Sequence, residues 1–244
     1  MLISSKSNLA IKEIIKLSSD RKYRYQSKRY VVEGIKPVSE CIKAGCRVSE
    51  VYCTDELLCK FPQAVTLTRE LFERVSSEKS PQGVLAVVEL PKNKLTSPQS
   101  SCLLLDRLQD PGNLGTIIRT ANAAGYSEIY LINCTDAFSP KAVRASMSGI
   151  FFTDIKTGSA QEILPLLDGV PFICADMDGK NIFRFNPPQK FCLCIGNEGG
   201  GISSEIKSLA ASTVSIPMEK SCESLNAAVS AGIAMYILKQ DKMR

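Results

Sequence analysis

The 244-residue chain contains no histidine. That one absence removes Ser-His and Cys-His nucleophile pairs, imidazole acid-base catalysis and nearly all catalytic zinc sites together. Ten cysteines are present, but no two form a C-x-x-C pair. The nearest, Cys192 and Cys194, lie in an apolar segment and read as core residues, so no metal is expected. A G-x-G-x-x-G turn and a P-loop Lys-Ser/Thr are also missing, which sets aside a nucleotide-binding oxidoreductase. No repeat or low-complexity segment is found. The amino terminus from Met1 to Lys6 lacks a sustained apolar core, and the apolar run near the carboxyl end is interrupted by Ser230 and too short to span a bilayer. The expectation is a cytoplasmic protein whose chemistry uses Arg, Glu, Asn, Ser or a cofactor.

The length suits two modest domains. A polar, proline-bounded stretch from Pro91 to Ser101 reads as a linker between a unit over 1–90 and another over 102–244. Charge divides at the same place. Residues 1–100 carry 17 Lys and Arg against 11 Asp and Glu, whereas 101–244 carry 13 against 14. Much of the excess lies in Arg21-Lys22-Tyr23-Arg24-Tyr25-Gln26-Ser27-Lys28-Arg29-Tyr30. Cations interleaved with tyrosines fit phosphate contact with base stacking, so Arg21, Lys22, Arg24, Lys28 and Arg29 are candidate RNA contacts; a solvated helix or loop face is the plain alternative. Arg144, in Lys141-Ala142-Val143-Arg144-Ala145-Ser146, either contacts RNA or is a helix-surface charge.

In the second half, strands are expected over 102–105, 128–132, 172–175, 191–195 and 213–216, with helices over 114–124, 161–167, 204–211 and 225–239. That alternation predicts a mostly parallel sheet covered on both faces, with ligands at the carboxyl ends of the strands. The first half reads as a smaller α/β unit: helices near 8–18 and 37–44, strands near 30–33, 50–53 and 83–89.

Three segments carry chemistry. Asp110-Pro111-Gly112-Asn113-Leu114-Gly115 leads into a helix, with Asn113 read as the N-cap and Arg119 and Asn122 following on an otherwise apolar element. An arginine there either seeks an anion or snorkels. The apolar run ending at Ile195 enters Gly196-Asn197-Glu198-Gly199-Gly200-Gly201, a turn that lets backbone approach a ligand and holds one carboxylate at a strand end. Ile216-Pro217-Met218 precedes Ser224-Leu225-Asn226, which opens an alanine-rich helix. Helix capping alone explains some of these polar residues.

Taken together and in this order, the three segments resemble the SpoU (TrmH-like) family of RNA ribose 2'-O-methyltransferases in the SPOUT superfamily. Asn113-x-Gly115 with Arg119 resembles the first motif, Gly196 to Gly201 the second, and Ile216-Pro217-Met218 with Ser224-Leu225-Asn226 the third; Ala227 stands where the family often has Val. The resemblance implies an α/β fold with a deep C-terminal trefoil knot, a homodimer, and S-adenosylmethionine held by Gly196, Ile216 and Leu225. It also implies a catalytic set of Asn113, Arg119, Glu198, Ser224 and Asn226. In the family view Arg119 would activate the 2'-hydroxyl, sometimes as a base. Because a guanidinium loses its proton only above about pH 12, the expectation here is that Arg119 clamps phosphate and stabilises a developing alkoxide, with Glu198 or water taking the proton. Asn113 would position Arg119, and Ser224 and Asn226 would orient Glu198 or the ribose. Val32-Glu33-Gly34 and Pro81-Gln82-Gly83-Val84 look like the ribosomal protein L30e-like substrate-binding domain fused to such enzymes, which favours 23S-type rRNA over tRNA. The competing reading is a non-catalytic RNA-binding ribosome assembly factor that keeps the fold.

Overall fold

The computed structural model describes residues 2–239. Two sheets organise it. The first half contains β1 (Leu2–Ile3), α1 (Leu9–Ser19), α2 (Arg21–Ser27), β2 (Arg29–Glu33), α3 (Ile35–Lys43), β3 (Val48–Cys53), β4 (Val65–Leu67), α4 (Arg69–Val75) and β5 (Val84–Glu89). Its sheet runs β1-β4-β3-β5-β2, with β5 antiparallel to both neighbours. The second half contains β6 (Cys102–Asp106), α5 (Pro111–Ala123), β7 (Glu128–Ile132), α6 (Pro140–Ala145), β8 (Asp154–Gly158), α7 (Ala160–Ile163), β9 (Phe172–Asn181), β10 (Cys192–Ile195), α8 (Ser204–Lys207), β11 (Ala210–Ser215) and α9 (Ala227–Lys239). Its six strands lie in the order β11-β9-β10-β6-β7-β8, all parallel.

The central strands β6, β7 and β10 are buried along their whole length. A parallel strand covered on both faces has no polar side to present, which is why these read as unbroken apolar runs. The cysteines fit this packing: Cys102 faces Cys192 and Cys194 faces Cys174 across the ladder, all four buried. β8 escapes the apolar pattern because it carries Lys156. That side chain is fully buried, yet bonds Glu128 at 2.7 Å and the Tyr130 hydroxyl at 3.3 Å. Burial works against its charge, but the hydrogen bonds from Nζ to Glu128, Tyr130 and Asp154 outweigh it and push the amine pKa above its ordinary value.

The stretch from Pro91 to Ser101 has neither helix nor strand, but it is strapped to the second sheet. The Asn93 side chain exchanges two hydrogen bonds with the Thr157 backbone, Tyr130 donates to the Thr96 carbonyl, and the Gln99 amide donates to Glu128. The buried lysine network therefore also anchors the connection between the halves.

The basic segment departs from its expected role. Arg24 is 4% exposed; its guanidinium donates to Asp136 at 2.6 and 2.9 Å and to the Leu17 carbonyl at 2.6 Å. It is therefore not an RNA contact but an internal tie between the halves. Tyr25 donates to the other Asp136 oxygen, and burial followed by that carboxylate pushes its hydroxyl pKa up to about 12. Tyr30 is buried edge-on against Phe138, with ring centroids 5.0 Å apart. Tyr30 and the Tyr25 hydroxyl thus belong to the domain contact, while Tyr25 stays 41% exposed with the Arg21 guanidinium 5.7 Å from its ring centroid.

Removing one partner of a buried ion pair leaves the other charged and desolvated. Arg24→Ala is expected to lower the unfolding free energy by about 3–5 kcal/mol, read by urea denaturation. A loss below about 1 kcal/mol, the size of a surface pair, would remove the pair from its structural role.

Candidate active site

The site lies beyond the carboxyl ends of β6 and β10, where an open parallel sheet presents its loops. α5 begins three residues earlier than its sequence implies. Asp110, not Asn113, is the N-cap; its carboxylate accepts from the Asn113 amide at 2.9 Å, and Pro111 occupies the first helical position. Asn113 is thereby placed in the first turn with its side chain released from capping. It donates through Nδ2 to Glu198 Oε1 at 2.9 Å and accepts through Oδ1 from Asn226 Nδ2, also at 2.9 Å.

Asn226 has two functions. Its Oδ1 caps α9 by accepting from the Ala228 amide at 2.9 Å and the Val229 amide at 3.3 Å, leaving Nδ2 for Asn113. The polar chain Asn226–Asn113–Glu198 therefore links the three sequence segments, and each amide orientation is fixed by its neighbour. Burial favours the neutral form of Glu198, but the Asn113 hydrogen bond and backbone amides at Glu198, Gln109 and Asp110 outweigh it and hold its pKa below the ordinary value.

The glycine turn is anchored from beneath. Asn197 donates to the Arg107 carbonyl at 2.7 Å while its Oδ1 accepts from the amides of Gly199 and Gly200. The buried carboxylate of Asp106 accepts from the Ser203 amide at 2.7 Å. Gly201 adopts φ +61°, and a Cβ on Gly196 would stand 2.2 Å from the Gly201 carbonyl carbon. Asp106 and Arg107 fall outside the three motif segments, and Asp110 and Asn197 lie within them without an assigned role; the aspartate that ends the all-apolar strand β6 is the sequence signal for this support.

Beside this turn opens a pocket of about 410 Å³. Gly196, Ile216 and Leu225 line it, as do Glu198 and Ser224, with Ile195, Val214 and Ala234 completing the apolar wall. Arg119 does not line it. Six residues beyond Asn113, it is about 9 Å further along the helix and on another side, exposed and making no ion pair among the described residues. Asn113 thus orients Glu198 and not Arg119.

The remaining basic residues separate by environment. Arg21, Lys22 and Lys28 are exposed. Arg29 pairs with Glu13 at 2.5 Å, and Arg144 pairs with Glu78 in the first half.

The family model described as SpoU rRNA Methylase matches residues 100–236, and that of the MRM3-like substrate binding domain matches residues 8–86. The chain belongs to the SpoU rRNA methylase family. Among similar proteins, the 23S rRNA (guanosine(2553)-2'-O)-methyltransferase RlmP of Bacillus subtilis is 32% identical, covering 97% of this chain and 98% of the relative. The 23S rRNA (uridine(2479)-2'-O)-methyltransferase of Streptomyces viridochromogenes is 30% identical over 90% of this chain and 85% of its own. An AdoMet-bound rRNA methyltransferase from Sinorhizobium meliloti superposes with a TM-score of 0.89 at 27% identity, covering 99% of this chain and 98% of that one. In this SpoU family member the glycine turn lines the pocket, and its Glu198 is tied through Asn113 to the capping amide of α9.

Glycine 196 is confined by backbone, whereas a Cβ at Gly199 would meet nothing nearer than the Asn197 side-chain oxygen at 3.7 Å. Gly196→Ala is expected to destabilise by about 1–3 kcal/mol, as overpacking does, while Gly199→Ala leaves the thermal midpoint within about 1 °C. Calorimetric unfolding of both variants checks this; equal midpoints would contradict the close approach.

Proposed function

We propose that this chain transfers a methyl group from S-adenosylmethionine to a ribose 2'-hydroxyl of 23S-type rRNA, in the cytoplasm, as a homodimer and without a metal ion. The reading rests on one observation above the others: the ordered chain Asn226–Asn113–Glu198 ends at Glu198, which lines the apolar pocket beside Gly196. The named activities of the similar rRNA enzymes support it.

The pocket residues fit the cofactor. Its volume falls within the range of small-molecule sites, and apolar walls at Ile195, Val214, Ile216 and Leu225 meet a glycine turn that permits close backbone approach. Gly196, Ile216 and Leu225 would hold S-adenosylmethionine, which supplies an electrophilic methyl group when bound. The residues around it supply alignment and charge. Asn113 and Asn226 hold Glu198 in place, and Ser224 on the same rim orients the ribose. With its pKa lowered, Glu198 is a weak base, so the hydroxyl proton passes to water while the fixed carboxylate orders the site. Guanidinium groups lose protons only above about pH 12, so Arg119 acts as a cation that grips the adjacent phosphate and stabilises the developing alkoxide.

Arg119 stands outside its own pocket, and an exposed strip on α9, with Val229 and Tyr236 half exposed, lies on the helix packed against α5. Both features support a homodimer in which Arg119 faces the partner's pocket. The first unit, over 1–90, serves as an L30e-like RNA-binding domain; 91–101 is the strapped connection; 102–244 is the methyltransferase domain. The placement of β11 outside β9 and of α9 back against α5 supports a knotted path for its last segment.

The deciding assay is transfer of labelled methyl from S-adenosylmethionine to separated rRNA and tRNA pools from cells lacking the gene. Alkali-resistant label in 23S rRNA is expected. No label together with no cofactor binding would favour the assembly-factor reading. Arg119→Ala is expected to lower kcat by roughly 10²-fold with cofactor affinity unchanged, and Arg119→Lys retaining a near-normal rate would count against the clamp. Glu198 is ionised above its lowered pKa and protonates only as pH falls through it. The activity should therefore show no acidic limb from this group down to about pH 5, since even an ordinary glutamate titrates near 4.3. A limb near pH 6 abolished in Glu198→Gln would contradict that assignment.

A further inference from the structure

A second cavity, of about 370 Å³, lies between the halves, where α3 faces the carboxyl end of α5 and the turn 147–152. Its lining combines two lysines, Lys36 and Lys43, with the Asn122 amide and two apolar side chains held out to solvent, Met147 at 46% and Phe152 at 55% exposure. Glu40 also lines it, paired with Lys36 at 3.8 Å, whereas Lys43 makes no ion pair among the described residues.

The cavity adjoins Arg119. Asn122 follows Arg119 by three positions and shares its helix face, and a Cβ on the cavity-lining Gly149 would stand 3.0 Å from the Arg119 Cα. The floor is unusual as well. Met147 and Ser148 are consecutive non-glycine residues at φ 44° and 73°, and the Ser148 hydroxyl, in a residue 4% exposed, has no hydrogen-bond partner among the described residues. Positive φ is uncommon in non-glycine residues, and a buried hydroxyl with no partner marks a place where further bonding is to be completed.

Cations beside exposed apolar and aromatic side chains, with one amide for base edges, suit unpaired nucleotides: the phosphates meet the lysines and a base stacks on the ring. Resting on the 2'-O-methylation reading, we propose that this cavity is a subsite for single-stranded RNA, holding the nucleotide that flanks the target so that the target ribose is presented to Arg119. Phe152 is its stacking platform, Lys43 its phosphate contact and Asn122 its base-edge contact. None of these groups touches the reacting atoms, so they are positioning residues.

The test uses the full chain with 23S rRNA from cells lacking the gene. Phe152→Ala and, separately, Asn122→Ala should raise KM for RNA by about tenfold for the aromatic and several-fold for the amide. The kcat and the S-adenosylmethionine Kd should stay within twofold. Unchanged KM in both variants would overturn the subsite, as would a matched loss of cofactor binding, which indicates general disruption. Should the wild-type chain methylate no RNA, the activity reading fails by itself. Fluorescence anisotropy with a labelled 12-nucleotide single-stranded RNA then decides: weaker binding by Phe152→Ala retains the subsite, and equal binding removes it.

Discussion

One side-chain amide, that of Asn113, determines how the site is assembled. Its two ends bond residues 85 and 113 positions away, Glu198 on the glycine turn and Asn226 at the start of α9. The bonds are possible only because Asp110 takes over capping of α5. A neutral amide with both ends engaged has one low-energy orientation, so the carboxylate it holds is aimed without added charge. The turn that carries Glu198 is in turn fixed by Asp106, Arg107 and Asn197 at the end of β6. The rigid parallel sheet thus positions the polar chain, and the chain meets the apolar pocket at Glu198.

The junction of the halves follows a different physical rule. Arg24 and Asp136 are both buried and charged, which is tolerable only because their hydrogen-bonding capacity is met by each other, by Tyr25 and by the Leu17 carbonyl. Together with Tyr30 against Phe138 and the strapped segment 91–101, this fixes the angle between the sheets. The cavity shared by α3 and α5 depends on that angle. So does the surface where Arg21, Lys22 and Lys28 remain exposed.

The sequence made the second sheet legible because β6, β7 and β10 are apolar from end to end, and its three motif segments identified the pocket. Other features were hidden for physical reasons. β1 and β4 are too short to show periodicity, and β8 contains a lysine whose burial is possible only through Glu128 and Tyr130 on the neighbouring strand. The Asp-Pro-Gly-Asn run offers two capping residues; proline at the first helical position, which favours Asp110, was the available discriminator. Cations alternating with tyrosines read alike whether they face solvent or another domain, because the partner that decides it, Asp136, lies 112 residues from Arg24. Contacts between distant segments leave no trace in spacing, so the placement of Arg119 outside its own pocket was likewise unreadable.

The central claim is that Asn113, Glu198 and Asn226 act as one unit. A double-mutant cycle of Asn113→Ala and Asn226→Ala, read in kcat/KM for methyl transfer to 23S rRNA, tests it most directly. The account predicts that the double variant is little worse than the more impaired single, because either substitution already breaks the chain. Losses that multiply would contradict it, since they would mean that the two asparagines act independently.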